Sequence, residues 1–327
     1  MDPRLKSIAK KIVYPSMDAL DVVAPPLSTL ITRCFYLRRV VINDLHIPGP
    51  VRYEPLGVYP TFYSAPPSRG WYKRFAGLCH FDDQGVPRTL DKPSGVFYYN
   101  PVGIAQYGAA EYGYCLNTKD GRHRENCLRA AKGLLRLQDE KGGWPYLINL
   151  PSSIRGDSLE NGWYSAMAQG QAVSLFVRAN ALEPDPAYRD AAHRALALLG
   201  LPVEEGGLLA KLDGYDFYEE YPTTPSSYTL NGFIFCLIGL YDGWRIFHDE
   251  QAGRLFQSGF QTVKVVLPLY DGVLSSYDLF HVTHPPLDRL KDRKYHILHV
   301  KLLQVLDSIH HEDIFTFYIN KWGKHWR

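Results

Sequence analysis

Three glycine-led pieces, GGWPYLINL from Gly142, GGLLAKLDGYDFYEEY from Gly206 and the DGVLSSYDLF stretch around Gly272, lie 64 and 66 residues apart. Each follows two helix-length patterns, and this spacing is the strongest constraint on the fold. Before the first piece, one pattern runs from Pro101 to about Cys115 with proline in its first turn. A second runs from Arg124 to Glu140, with Leu128, Ala131, Leu134, Leu135 and Leu137 near helical spacing. The second cycle pairs Ser165–Ala181, rich in small residues, with Ala187–Leu199. The third pairs Ser227–Leu240 with Gln251–Val266, and a last pair starts near Tyr295 and breaks at His310-His311. A repeat of this period, two helices and a short extended piece, predicts a mainly α fold. The expected architecture is an α/α toroid: an incomplete α/α barrel of about four helical hairpins, with short strands and loops at one rim. An open solenoid of hairpins is the rival.

Residues 1–98 lack this rhythm. Apolar and basic pieces alternate there with prolines at 25, 26, 48, 50, 55, 60, 66 and 67. We expect an N-terminal arm of extended segments and short helices over 1–98, packed on a main domain spanning 99–327. A net charge of +2 from 36 basic and 34 acidic residues argues against a nucleic-acid partner or a membrane-binding surface. Five scattered cysteines without a CxxC pair read as free thiols. The first 21 residues hold no signal-peptide core, and no later window is apolar enough to span a bilayer. The expectation is a soluble chain without stable membrane insertion, cytoplasmic by default.

The extended pieces would deliver their side chains to one rim, and Glu220-Tyr221, Tyr277-Asp278 and Tyr295-His296 fall there. Tyr221 precedes Pro222, which holds it extended, and Ser226-Ser227 form a start signal for the next helix. A phenol beside a carboxylate on such a backbone is a mounting for proton transfer. His296 and His299 are three apart, but no HExxH or cysteine set makes them a metal site. The glycines near Gly170 lie in a helix pattern and not in a dinucleotide fingerprint, and there is no GxSxG elbow. Neither metal nor cofactor is expected. A glycosidase needs two flanking carboxylates, and Glu219 or Glu220 with Asp278 or Glu160 could supply them. Each of these rim carboxylates adjoins or lies near a tyrosine.

Several blocks resemble the C-terminal catalytic region of D-glucuronyl C5-epimerases, which convert D-glucuronate to L-iduronate in heparan-type polysaccharides. They are YNPVGIAQYG from Tyr99, DEKGGWP from Asp139, NGWYSAMAQGQA from Asn161, YEEYPTTPSSYTLNGF from Tyr218, LIGLYD from Leu237, LPLYD from Leu267 and YDL from Tyr277. The resemblance spans about 98–322. It implies catalytic roles for Tyr221, Tyr277 and Tyr295 with Glu220 as acidic neighbour, an anionic uronate-containing polysaccharide as partner, and a homodimer. Two departures stand out. The animal enzymes carry a β-rich region ahead of the helices, for which fewer than 100 residues are present here. Where the family has arginine after YDL, this chain has Phe280 and then His281.

Epimerisation removes the C5 hydrogen, α to a carboxylate, and returns one on the other face. An acid–base group must stand at each face, and the intermediate's added negative charge needs a cation or strong hydrogen bonds. A tyrosine, with an ordinary pKa of about 10, becomes a base only where cations lower that value. Tyr221 and Tyr295 are assigned as the opposed pair and Tyr277 as assisting acid or hydrogen-bond donor, with exchange of the two faces open. Candidate cations are Lys211, Arg289, Arg293, Lys294 and His296. Asn100, Gln106, Trp163, Tyr164, Gln169 and His281 complete the expected substrate-binding set, the aromatic pair by stacking on sugars and the amides by bonding hydroxyls. A polysaccharide lyase, which also removes the C5 hydrogen but expels O4, is the nearest alternative. A hydrolase and a non-catalytic uronate-polymer-binding protein are the others.

Overall fold

A computed structural model describes residues 52–61, 79–150, 158–283, 285 and 287–324. Most of the expected N-terminal arm lies outside the described residues. The helices come in four hairpins: α1 (Pro101–Asn117) with α2 (Gly121–Leu137), α3 (Ala166–Leu182) with α4 (Pro186–Ala195), and α5 (Leu230–Phe247) with α6 (Glu250–Val266). After a one-turn α7 (Phe280–Thr283), α8 (Arg293–Ile309) pairs with α9 (Asp313–Gly323). The second helices of the first three hairpins start on an aspartate. Asp120, Asp185 and Asp249 each accept from backbone N–H groups of the first turn, a cap that contributes about 0.5–2 kcal/mol apiece.

The hairpins form two layers. The first helices pack on one another in chain order, α1 on α3, α3 on α5 and α5 on α8, and each second helix backs its own partner. Composition explains the division. In α3 every residue from Ala166 to Ala179 is buried, and α5 is nearly as enclosed, as expected of helices apolar on all sides. In α6 burial is confined to one stripe, Ala252, Phe256, Phe260, Val263 and Val266 among them. Small residues let α3 and α5 cross with backbones in contact. A Cβ on Gly239 would stand 1.9 Å from the Gly170 carbonyl oxygen, closer than any side chain can be placed.

Two small antiparallel sheets flank the helices. Strands β1 (Cys79–Phe81), β2 (Pro87–Asp91) and β3 (Val96–Tyr98) form a meander against the start of the helical region. Strands β4 (Leu209–Leu212) and β5 (Tyr215–Tyr218) form a hairpin packed on α6. Residues 52–61 lie across the far ends of the inner helices. Tyr53 reaches Asp242 of α5 and Ser308 of α8, the Gly57 carbonyl accepts from Arg178 of α3, and the Leu56 carbonyl accepts from Tyr112 of α1.

Most helix boundaries fall close to the expected ones, but α2 ends at Leu137 rather than Glu140 and α5 runs on to Phe247, seven residues past the expected Leu240. Three further differences have local causes. The second helix of the second hairpin stops at Ala195, and Ala197–Leu199 continues as a tighter 3-10 turn. The segment from Asp271 is a loop ending in α7, not an extended piece. The serine start signal is also displaced: the cap of α5 is Thr229. Ser227 instead donates to Glu219, and Tyr228, at φ +50°, delays the helix until Leu230.

Candidate active site

The starts of the inner helices and the loops before them meet at one rim. Glu220 and Tyr221 follow β5, and the Glu219 carbonyl that joins them to it accepts from the Ala166 N–H at the start of α3 at 2.9 Å. Tyr277 is fixed by its backbone: its N–H donates to the Leu290 carbonyl and its carbonyl accepts from Leu230 N–H at the start of α5. Tyr295 sits in the first turn of α8, capped by Asp292. The rings of Tyr277 and Tyr295 lie 4.3 Å apart. The Tyr221 hydroxyl shares side-chain hydrogen bonds with Tyr277 and with Glu220. Three tyrosines and one carboxylate thus converge from three separated stretches of chain.

Glu220 is nearly buried, and burial pushes its carboxyl up to about 7 against hydrogen bonds from Tyr221 and the Gly232 N–H. It also accepts from Asn231 Nδ2 at 3.3 Å. Residue 232 has to be glycine for this, because a Cβ there would lie 2.2 Å from Glu220 Oε2. The carboxylate therefore accepts from the Gly232 N–H in the first turn of α5, where the helix dipole favours negative charge. Burial raises the Tyr221 and Tyr277 phenols well above their ordinary value, so both are neutral hydrogen donors at physiological pH. Tyr277 donates to Tyr221, and Tyr221 donates to Glu220.

Glu219, wholly buried, faces the other way. It accepts from Ser227 Oγ at 2.7 Å and from Tyr228 N–H at 3.1 Å, and burial lifts it to about 8. Its work is to fold the turn that carries Tyr221.

Aromatic rings continue the site beyond Tyr221. Trp163 lies 5.9 Å from Tyr221 and stacks on Tyr146 at 4.0 Å, with 7° between the planes. Tyr146 in turn neighbours Tyr98, and Asn100 links the two hydroxyls at 3.4 Å each. Asn100 also caps α1 through Gly103 N–H.

Most of the other expected binding residues make contacts within the protein. Gln169 is buried, its amide donating to the Gly142 and Ala195 carbonyls, and Gln106 is buried within α1. The Tyr164 hydroxyl bonds Asp139. Lys211 pairs with Asp216 on the β4–β5 hairpin. Arg289 donates to the Leu269 and Asp271 carbonyls and to His281 Nε2. His296 is buried, with Nδ1 accepting from Ser275 N–H and Nε2 against the Trp322 carbonyl. Arg293 begins α8, beside the tyrosines in sequence. Phe280 is buried and carries its backbone N–H to Asp278. Among the described residues no cluster of three or more histidine, cysteine, aspartate or glutamate side chains could hold a metal.

Sequence reasoning missed Asn231, Gly232, Tyr146 and Tyr98. The NGF triplet after the serines was a usable signal, because small and amide residues at a helix start are anion-binding types.

The family model for the C-terminus of D-glucuronyl C5-epimerase matches residues 138–324, a stretch that includes all three tyrosines, Glu220, Asn231 and Gly232. The D-glucuronyl C5-epimerase of Caenorhabditis elegans is 35% identical over 214 residues, which cover 62% of this chain and 35% of that protein. An uncharacterized protein of Methanocaldococcus jannaschii is 28% identical over 184 residues, covering 55% of this chain and 56% of the archaeal one. The chain therefore spans about a third of the length of the nematode enzyme and about half that of the archaeal protein. With more than half of its residues matched, and matched across the convergence of tyrosines, the chain belongs to the D-glucuronyl C5-epimerase C-terminal family.

Proposed function

We propose that this chain inverts C5 of D-glucuronate residues in a heparosan-like polysaccharide to give L-iduronate, without an added cofactor. The observation that carries the reading is the hydrogen-bonded series Tyr277–Tyr221–Glu220, with the Tyr295 ring against Tyr277. Residues 99–327 would form the catalytic domain, with 1–98 as its arm. The nematode relative's name supports the reaction class.

In this mechanism Tyr221 takes the C5 hydrogen as a proton while passing its own phenolic proton to ionised Glu220. The C–H electron pair moves into the adjacent carboxylate, giving a resonance-stabilised carbanion. Tyr295 then donates its proton to the opposite face of C5. Water returns a proton to the Tyr295 phenolate, and Glu220 releases the one it holds, so the site is restored and no bond to O4 breaks. Tyr277, kept neutral by burial, holds the Tyr221 oxygen in place by donating to it. Coupling to Glu220 removes the objection that a tyrosine with an elevated pKa is a poor base: the group that ionises is the carboxylate, lifted to about 7, near the working pH favoured for acid–base catalysis.

Incubating heparosan with the protein in heavy water should place deuterium at C5 and give iduronate signals by NMR, with chain length unchanged. Tyr221→Phe or Tyr295→Phe should abolish exchange in a folded protein. Shortened chains ending in unsaturated uronate would make the protein a lyase, and shortened saturated chains a hydrolase. Normal exchange in both variants would overturn the assigned site.

A further inference from the structure

Removal of a hydrogen α to a carboxylate concentrates negative charge on that carboxylate, and a cation must meet it. The five cations that the sequence nominated differ sharply in position. Lys211 is paired with Asp216, which also accepts from Ser258. Arg289 uses Nε and both terminal nitrogens on His281, Asp271 and Leu269. His296 is buried with a backbone N–H on Nδ1 and a carbonyl at Nε2, an arrangement that fits a neutral ring. Arg293 opens α8, two residues before Tyr295. Lys294 is half-buried, and its Nζ lies 5.8 Å from the centroid of the Tyr295 ring, within the range where a ring face attracts an ammonium. That ring is the one packed against Tyr277. The Lys294 backbone is fixed by its N–H donating to Asp292, while its four-carbon stem lets the ammonium move. A C5 hydrogen within reach of the Tyr295 hydroxyl puts the carboxylate, one bond away, beside the same ring.

We propose that Lys294 is the cation that receives the C5 carboxylate of the uronate and so selects a charged over an uncharged sugar. The proposal rests on the epimerase reading above. Its test uses the full chain, a heparosan oligosaccharide and the same oligosaccharide with its uronates reduced to glucose. Calorimetry should show the wild type binding the carboxylate form about tenfold or more tightly, the scale of a charge-assisted contact. Lys294→Gln should lose that preference while keeping affinity for the reduced form, and Lys294→Arg should restore part of it. In exchange assays Lys294→Gln should raise KM as well as lower kcat. If Lys294→Gln keeps the preference while wild type exchanges deuterium, the lysine assignment fails and the epimerase reading stands. A wild type that neither exchanges nor prefers the carboxylate overturns both.

Discussion

Two adjacent glutamates divide the labour at the site, and their environments account for it. Glu219 and Glu220 are both buried and both lifted, to about 8 and about 7 from an ordinary 4.5. Glu220 touches Tyr221, whereas Glu219 touches only the turn. Exchange at C5 should therefore rise with pH through about 7, as Glu220 ionises and can accept the Tyr221 proton. Stability should run the other way. Between about 4.5 and 8 the folded chain holds protons that the unfolded chain has released, so unfolding free energy falls as pH rises. Glu219→Gln should flatten that slope and leave the pH midpoint of exchange near 7. A urea denaturation series across pH checks the first, and a pH–exchange profile checks the second. An unchanged slope in Glu219→Gln would show that Glu219 is ionised in the fold at neutral pH. The pairing of Glu220 with Tyr221 was legible in the sequence because the two are neighbours. The opposite fate of Glu219 was not, since it depends on Ser227 and Tyr228 folding back eight and nine residues later.

At the scale of elements, the start of α5 holds the site together. Its Leu230 N–H is met by the Tyr277 carbonyl and its Gly232 N–H by Glu220. Groups from other segments thus replace the local side-chain cap that Thr229 does not provide. Local pattern reading expects a serine cap, and here long-range contacts won. The same cause hid Tyr146 and Tyr98, which matter only because Trp163 stacks on one and the other follows. Periodicity, a local signal, located the helices well. Gly232 gives the sharpest test. Gly232→Ala puts a methyl 2.2 Å from Glu220 Oε2, while alanine itself favours the helix by about 1 kcal/mol. The expected result is a folded protein with normal helical circular dichroism and C5 exchange reduced about a hundredfold or more, on the scale of losing a placed acid–base group. Full exchange in that variant would mean that Glu220 need not rest on the helix start.

Across the molecule, the inner helices run in parallel from the site toward a buried ion pair, and the sequence announced only the first of these ends. The tyrosine motifs marked the rim. Arg178 in α3 and Asp242 in α5 lie 64 residues apart in the chain, and no motif joins them. In the fold they pair at 2.7 Å with both side chains fully buried. Tyr53 donates to the carboxylate at 2.9 Å, and the rings of Tyr59 and Tyr112 flank the guanidinium at 4.9 and 5.8 Å. Burial works against the charge on Arg178, but Tyr53 and Asp242 outweigh it and hold the guanidinium above its ordinary value. This network fastens residues 52–61 to α1, α3, α5 and α8 at the end away from the tyrosines. Arg178→Met strands a buried carboxylate and should cost about 3–5 kcal/mol. Removing the whole set, Arg178→Met with Asp242→Leu and Tyr53→Phe, leaves no orphaned charge and should recover most of that loss, because contacting residues are strongly non-additive. Chemical denaturation of the single and triple variants measures both. A single variant within about 1 kcal/mol of wild type would mean that Asp242, whose carboxyl burial already raises, escapes the penalty by taking up a proton or by contact with water. Because the network lies at the opposite ends of the inner helices from Glu220, the folded triple variant should exchange C5 hydrogen at the wild-type rate.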